Sequence, residues 1–480
     1  MPAGVQTETQ LERTLGLSAA LMIGVGTMIG AGIFVLPGPA AGQAGPAVAV
    51  SFLLGGIIAL FTALSASELA TAMPRAGGSY HFINQGLGQS FGTIAGLGNW
   101  FGLAFASAFY VIGFGSYLGL LLGTLTTIPS LEIGPLVLTE AQLGGFLAAV
   151  LFVAVNYVST KGTGDLQNVI VIGLLGILLV FAVLGVMGAD LTTLTPFAPE
   201  GWGAVFPGTA LVFVSYLGFV QITTVAGEIK EPARNLPIAI VGSVAIVTIL
   251  YGAIILVILG VVDRGDIAES ETAVADVAGI LFGDVFGAPA LGIAILTAAG
   301  LLATASSANA SILAASRINY AMGRDRIISN AVNTIHPRFN TPGRAILLTG
   351  AMIFLLVFIG DVEILARSAA VLHLIVYGLL NIALIVFREA DGVSYRPTFL
   401  VPWYPWVPVI GAISSFGLIL FMDPIEIALA IALVFVSLGW YWLYVKHRTV
   451  NQSALAWYRA PEEVEARITL SADETEEESA

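Results

Sequence analysis

Long runs of continuously apolar residues dominate the chain, and short polar segments separate them. A membrane-spanning helix needs about 20 apolar residues, whereas the strands of a membrane barrel alternate apolar and polar positions over about ten residues. Runs that meet the helical criterion lie at 17–37, 46–73, 91–123, 141–158, 167–189, 203–226, 236–262, 287–317, 344–360, 368–387, 403–422 and 424–446. The pattern predicts an all-α integral membrane protein with about twelve transmembrane helices.

Lysine and arginine residues are distributed unequally between the two sides that these runs define. If the amino terminus is inside, only Arg264 and Arg367 of the 18 basic residues fall in outside loops. Basic loops remain in the cytoplasm during membrane insertion. We therefore predict a plasma-membrane protein in which residues 1–16 and the tail at 447–480 are both cytoplasmic.

Composition supports this assignment and excludes several kinds of chemistry. The chain is 57% hydrophobic and only 10% charged, whereas soluble domains carry about 25% charged residues. It contains no cysteine, which excludes thiol catalysis, and its four histidines lack the spacing of metal ligands. The sequence offers no nucleophile–base cluster either. We expect neither an enzyme nor a cofactor, and no nucleic-acid partner.

The polar segments between and after the apolar runs predict three further features. The acidic tail at 447–480 is predicted to be disordered, because such charge runs repel and remain solvated. The acidic outside loop at 263–284 is predicted to form a short surface helix. The inside loop at 318–343 is the most basic stretch, which indicates either a contact with membrane lipid or simple cytoplasmic anchoring.

Glycines interrupt the first apolar run near its middle. Gly24, Gly26, Gly30 and Gly32 fall within nine residues, and each weakens a helix by about 1 kcal/mol relative to alanine. At bilayer depth an open backbone is tolerated only where it is buried in protein or lines a polar cavity. A break at a binding site is one interpretation, and close helix packing through the spacing of Gly26 and Gly30 is the other.

A second irregular segment lies at 213–224, five spans later, where Gly218 is surrounded by hydroxyl side chains and a glutamine. Interrupted helices at corresponding positions of two five-helix halves are typical of inverted-repeat transporters with a site near the midplane. An opened segment frees N–H groups for a carboxylate and carbonyl groups for an ammonium. The two segments together predict a site for an α-amino acid that needs no charged side chain.

Four groups of motifs resemble those of the amino acid–polyamine–organocation transporter superfamily. They read MIGAGIF at 28–34 followed by PG, ELATAMP at 68–74 followed by GGSY, YLGF at 216–219 followed by EIKEP at 228–232, and SR at 316–317 followed by AMGRD at 321–325. The similarity covers about residues 15–445. The branch it indicates is that of the cationic-amino-acid-transporter-like and bacterial proton-coupled members.

The resemblance implies a leucine-transporter-type fold, with inverted repeats of five helices at 17–189 and 203–387 and two extra helices at 403–446. It also implies a substrate site at the two interrupted helices. The N–H groups of this site would bind the carboxylate and its carbonyls the amine. The residues that carry over are Gly30, Ala31 and Gly32 for the carboxylate, Met28 and Leu217 for the amine, and Val214, Ser215 and Gly218 beside them.

Two departures from the family pattern bear on the substrate. Val214 is small where relatives often place an aromatic gate, and Val220 stands where many relatives carry an acid. Without that acid, a cationic or polyamine tail lacks its most obvious partner. The sequence therefore predicts a neutral, apolar amino acid, unless an acid from elsewhere enters the site.

The sequence is compatible with either a proton or sodium as the coupling ion. Proton-coupled relatives carry a lysine near the position of Leu174, which this chain lacks. The hydroxyls of Ser306 and Ser307 suit sodium, unless they bond back to their own helix. His373, well inside the tenth run, is either a proton-exchanging group or a structural histidine.

Glu68, at the cytoplasmic end of the second run, is a candidate gate residue, with Arg75 or Lys230 as its predicted ion-pair partner. Taken together, the sequence predicts a secondary active transporter of amino acids that works by alternating access. An amino acid/polyamine exchanger and an amino acid sensor that does not transport are the alternatives.

Overall fold

A computed structural model of the chain describes residues 13–74, 77–123, 130–133, 136–158, 163–390, 395–448 and 453–459. Its α-helices are α1 (Leu17–Met28), α2 (Ala31–Val35), α3 (Pro37–Ala44), α4 (Val48–Ala72), α5 (Gly78–Leu87), α6 (Gln89–Gly123), α7 (Glu140–Val158), α8 (Thr163–Gly188), α9 (Val205–Val212), α10 (Gln221–Thr224), α11 (Pro232–Val261), α12 (Arg264–Ile267), α13 (Ala273–Phe286), α14 (Pro289–Arg324), α15 (Gly343–Val357), α16 (Val362–Glu389), α17 (Trp406–Ile419), α18 (Pro424–Trp440) and α19 (Ala454–Arg459). One antiparallel hairpin, β1 (Leu131–Ile133) and β2 (Leu136–Leu138), lies between α6 and α7.

The helical content confirms the predicted fold class. Ten helical segments of the described chain are long and apolar enough to cross a membrane, and α15 and α17 are shorter apolar helices. Together they give the twelve spans that the apolar runs predict. Leucine and valine side chains on α7, α8 and α18 are exposed, as lipid-facing surfaces require.

The first span consists of three helical pieces. α1 ends at Met28, α2 follows, and α3 continues the span to Ala44, beyond the predicted end at Pro37. The chain then turns at Gly45, whose φ of +59° lies in the left-handed region that disfavours a Cβ atom. After this turn α4 packs against α11.

Small residues allow the helices to approach one another closely. A Cβ atom added at Gly115 of α6 would lie 2.0 Å from the carbonyl oxygen of Ala141 at the start of α7. At Gly56 it would lie 2.1 Å from Thr248 Oγ1, which joins α4 to α11. Close backbone approach drives helix association in membranes, where lipid is as apolar as the side chains.

The loop between α11 and α14, predicted to lie outside, differs from the predicted surface helix. It contains α12 and α13, and Ala273, Val274 and Ala278 of α13 are fully buried. α13 packs against α14 and α11 because its alanine-rich face allows close contact. A Cβ atom at Gly38 would lie 2.3 Å from the carbonyl oxygen of Ser270. The loop therefore covers α3 at the end of the first span.

The structure describes residues 453–459 of the carboxyl-terminal tail, ahead of its acidic run. There α19 packs against α5 and α16, and Ser453 and Ala454 are buried. The disorder predicted for the tail stays a prediction. The remainder of the predicted disordered tail lies outside the described residues.

Candidate functional site

The first span is interrupted at Ile29 and Gly30. Ile29 leaves the helical region with ψ at 84°, and Gly30 has φ and ψ values of −138° and −149°. The Gly30 N–H donates to the Met28 carbonyl at 2.9 Å, a tight local turn rather than a helical bond. α2 begins immediately afterwards at Ala31, and the first N–H groups of a helix lack acceptors within it.

The sixth span is tightened rather than opened. Residues Phe213–Val220 form a 3₁₀ helix between α9 and α10. The flanking residues Val212 and Gln221 both keep right-handed helical dihedrals. A 3₁₀ helix retains i→i+3 hydrogen bonds, so it frees fewer backbone groups than the break at Gly30. The predicted symmetry of two opened segments is therefore incomplete.

The two irregular segments lie directly against each other. Thr27 Oγ1 donates to the Gly218 carbonyl at 3.1 Å. A Cβ atom at Gly218 would lie 2.7 Å from the backbone nitrogen of Met28, and one at Gly32 would lie 2.2 Å from Ser215 Oγ. Glycine is required at both crossing points because backbone and hydroxyl atoms occupy the space of a side chain.

Two serine hydroxyls at this crossing have no hydrogen-bond partner among the described residues. They are Ser215 Oγ and Ser307 Oγ, on side chains that are each 1% exposed. Ser307 lies on α14, and a Cβ atom at Gly30 would lie 2.2 Å from its Oγ. A buried hydroxyl without a partner costs about 1–3 kcal/mol. Unpaired hydroxyls at the interrupted helix therefore favour a polar ligand.

The two carbonyl groups predicted to bind an amine already accept hydrogen bonds from buried tyrosines. Tyr251 Oη donates to the Met28 carbonyl at 2.5 Å, and Tyr377 Oη donates to the Leu217 carbonyl at 3.1 Å. The Met28 carbonyl also accepts from the Gly30 N–H, so both of its lone pairs are used. An ammonium therefore cannot bind the Met28 carbonyl without displacing a protein donor.

Sequence reasoning missed both tyrosines. Each is fully buried in an apolar span, Tyr251 on α11 and Tyr377 on α16. A buried tyrosine hydroxyl normally finds a hydrogen-bond partner, and an interrupted helix supplies free carbonyls. That expectation was the available signal, although it does not say which carbonyl each hydroxyl reaches.

The remaining predicted residues are Val214, Ser306 and His373, and their surroundings differ. Val214 is buried in the 3₁₀ segment. Ser306 precedes Ser307 on α14 and points about 100° away from it. His373 is buried on α16, its Nδ1 lies 2.8 Å from the Ala369 carbonyl, and its ring packs against Gly102 of α6. These contacts suit the structural interpretation of this histidine.

Glu68 lies at the end of α4, away from the crossing. Its fully buried carboxylate accepts hydrogen bonds from Arg388 Nε at 2.7 Å, from Tyr395 Oη at 3.2 Å and from the Val401 N–H at 2.6 Å. A second guanidinium N–H of Arg388 also bonds to it. Burial, together with the Glu68 carboxylate, raises the pKa of Tyr395 above its ordinary value, so Tyr395 remains a donor.

The predicted ion-pair partners of Glu68 are corrected by this arrangement. Its partner among the described residues is Arg388, 320 residues further along the chain, rather than Lys230. The other predicted partner, Arg75, lies outside the described residues. No sequence motif links Glu68 to Arg388, and it is the fold that brings the end of α16 beside α4.

A buried polar site at an interrupted helix in a multi-pass membrane protein is typical of small-molecule transporters. The amino acid permease family matches residues 15–445, and the chain belongs to that family. The resemblance to the amino acid–polyamine–organocation superfamily is therefore confirmed.

Individual relatives cover most of the chain. It is 29% identical to a branched-chain amino acid permease of Bacillus subtilis (strain 168), over 94% of this chain and 97% of the relative. It is 26% identical to a serine/threonine exchanger of the same organism, over 90% and 97%. It is also 28% identical to the chloroplastic cationic amino acid transporter 7 of Arabidopsis thaliana, over 82% and 68%.

Proposed function

We propose that this protein is a secondary active transporter of neutral, apolar amino acids that works by alternating access in the plasma membrane, with both termini cytoplasmic. The observation that carries the proposal is the pair of unpaired hydroxyls, Ser215 Oγ and Ser307 Oγ, buried against Gly32 and Gly30 at the break of the first span. A zwitterionic ligand supplies the hydrogen bonds that these groups lack.

The carboxylate of the substrate binds at the start of α2 in this proposal. The N–H groups of Ala31 and Gly32 begin that helix and point towards the break. Leu36 keeps helical dihedrals between α2 and α3, so the positive end of a longer helix dipole lies at the carboxylate. Ser215 and Ser307 add hydroxyl donors on either side.

The amine of the substrate binds near the tyrosines rather than directly to the Met28 carbonyl. A phenolic oxygen that donates its proton keeps lone pairs that can accept another hydrogen bond. Tyr251 and Tyr377 each donate to a carbonyl of the crossing. Their hydroxyl oxygens are therefore the ammonium acceptors. The carbonyls of Met28 and Leu217 accept the hydroxyl protons and so increase the negative charge on the phenolic oxygens.

The side chain of the substrate is apolar in this proposal. Val214 and Val220 are both buried in the sixth span and carry no charge that would pair with a cationic side chain. The branched-chain amino acid permease among the relatives supports this class. An amino acid/polyamine exchanger would need a carboxylate that faces the site.

Alternating access follows from two further proposals. The segments 17–189 and 203–387 act as the inverted repeats, and 403–446 supplies two additional helices. Glu68 acts as a gate on the cytoplasmic side, because its carboxylate holds α4 to the end of α16 through Arg388. Sodium is the proposed coupling ion, with Ser307 Oγ among its ligands, since hard cations prefer oxygen.

Uptake by reconstituted protein tests this function. Liposomes that contain the purified protein are expected to accumulate radiolabelled leucine, with unlabelled leucine but neither arginine nor putrescine competing. Imposing sodium and proton gradients separately identifies the coupling ion, and sodium-independent uptake would refute the role of Ser307 in ion binding. The matched control is Gly30→Leu, whose side chain cannot fit against Ser307.

Two outcomes would contradict the proposal in different ways. Saturable leucine binding without uptake would favour the amino acid sensor, because the site would then exist without transport. Exchange of external arginine for internal putrescine would favour the amino acid/polyamine exchanger. Glu68→Gln is expected to leave leucine binding intact but to slow uptake, and an unchanged uptake rate would remove Glu68 from the gate.

A further inference from the structure

An apolar groove lies on the outer surface of the molecule between α7 and α15, remote from the crossing of the first and sixth spans. Its volume is about 530 Å³. The wall from α7 includes Val150, Val153 and Ala154, and the wall from α15 includes Leu347 and Ala351. The small residues leave a concavity on a face that otherwise presents bulky leucine, valine and phenylalanine side chains.

Aromatic side chains close the groove at both ends. At one end Phe146 of α7 packs against Phe354 and Phe358, with ring centroids 4.7 Å apart in each pair. At the other end Tyr157 lies against Gly343, the first residue of α15. Phe146 and Tyr157 are eleven residues apart on α7, which is about 16 Å along a helix. Half of a bilayer core is about 15 Å thick.

The basic inside loop is fixed to the Tyr157 end. Thr341 Oγ1 donates to the Tyr157 carbonyl at 2.8 Å. The rings of His336 and Phe339 lie 5.5 Å and 5.8 Å from the Tyr157 ring. The His336 Nδ1 accepts from the backbone N–H groups of Arg338 and Phe339, which holds the loop in a compact turn. The charges of this loop are therefore positioned rather than free.

Two arginines lie beside that end of the groove. Arg344 is exposed on α15 and lies on the same helical face as Leu347 and Ala351, three and seven residues further on. One N–H of its guanidinium donates to the Ala331 carbonyl at 3.1 Å, and a guanidinium has five N–H donors. Arg338 is also exposed, in the loop held against Tyr157.

We propose that this groove binds one anionic phospholipid of the cytoplasmic leaflet, with an acyl chain between α7 and α15 and the phosphate at Arg344 and Arg338. The apolar length matches one leaflet, and the positive charge lies at one end alone of the groove as the structure describes it. Basic residues near the membrane surface attract anionic head groups. Simple anchoring by the loop would not require the groove.

Native mass spectrometry of the full-length, detergent-purified protein tests the proposal, with phosphatidylglycerol and phosphatidylcholine of identical acyl chains as probes. Phosphatidylglycerol is expected to bind at least fivefold more tightly. Arg344→Gln should reduce that affinity about fivefold and leave phosphatidylcholine unchanged. Ala351→Phe and Ala154→Phe, which fill the groove from either wall at exposed positions, should reduce binding of both lipids.

Matched controls separate the groove from the general surface. Ala432→Phe places the same ring at an exposed position of α18, and Arg234→Gln removes an exposed arginine elsewhere. Neither is expected to change lipid affinity. Equal affinity for the two lipids, or an unchanged affinity in Arg344→Gln, would overturn the head-group assignment. Normal binding in both filled variants would overturn the groove. If neither filled variant folds, Arg344→Gln still tests the head-group assignment, and its failure alone overturns the proposal.

Discussion

The first and sixth spans carry similar glycine-containing segments, yet their backbones differ. At Gly30 the first span leaves the helical region, and α2 starts a new helix with free N–H groups. Around Gly218 the sixth span tightens into a 3₁₀ helix whose hydrogen bonds continue. The first glycine lies at a break in the helix and packs against the side chain of Ser307, whereas the second packs against the backbone of another helix. The same residue type therefore meets different structural demands at the two positions.

The largest expected effect is a fall in melting temperature when either Gly218 or Gly30 is replaced. In Gly218→Ala the new Cβ atom overlaps backbone atoms of Thr27 and Met28, and overpacking of this kind costs about 1–3 kcal/mol. In Gly30→Ala the overlap is with the side chain of Ser307. The melting temperature of the purified protein should therefore fall further for Gly218→Ala.

A rescue experiment sharpens this difference. Adding Ser307→Gly to Gly30→Ala removes the overlapping atoms and should restore much of the lost melting temperature. Adding Thr27→Ala to Gly218→Ala removes the hydroxyl but leaves the Met28 nitrogen at 2.7 Å from the new Cβ, so no recovery is expected. Equal rescue in both pairs would show that the two glycines have the same role.

The next effect concerns the unpaired serines. Ser307→Ala and Ser215→Ala should each weaken leucine binding at least about tenfold, since a hydrogen bond to a charged group contributes about 1.5 kcal/mol or more. Neither variant should lower the melting temperature of the ligand-free protein, because the hydroxyls have no partner among the described residues and their removal relieves the cost of an unpaired buried group. Isothermal titration measures the affinity. Ser316→Ala, whose hydroxyl bonds back to Leu313 of α14, is the matched control.

The smallest effect concerns the tyrosines that bind the two segments. Tyr251→Phe and Tyr377→Phe should each raise the KM for leucine uptake about threefold to tenfold, as one hydrogen bond of about 1 kcal/mol is lost. Tyr216→Phe is the control, because its hydroxyl donates to the Phe52 carbonyl away from the break. The melting temperature should fall by a similar amount in all three variants. A KM change in Tyr216→Phe equal to the others would assign the tyrosines a structural role.

Run lengths were sufficient to predict the twelve spans, because bilayer thickness acts on each segment separately. The break at Gly30 followed from glycine density in the same way. The 3₁₀ segment did not, since its geometry depends on how closely Thr27 and Met28 of another helix approach Gly218.

Long-range pairs were beyond sequence reasoning for a similar reason. Glu68 pairs with Arg388 across 320 positions, and no local spacing encodes that contact. Tyr251 reaches the Met28 carbonyl across 223 positions. The burial of α13 also depends on its neighbours rather than on its own composition. Residue types predicted which groups needed partners, and only the fold identified the partners.

The segment from Tyr395 to Val401 ties the last two helices to the second span, because both residues donate to the Glu68 carboxylate. α17 and α18 are also packed against α4, α6 and α16, so they form one body with the second span. A chain cut after Glu389 would leave the buried carboxylate without two of its donors. A change in bilayer thickness that altered the tilt of α17 would therefore reach the end of the second span by two routes, direct packing on α4 and the hydrogen bonds to Glu68.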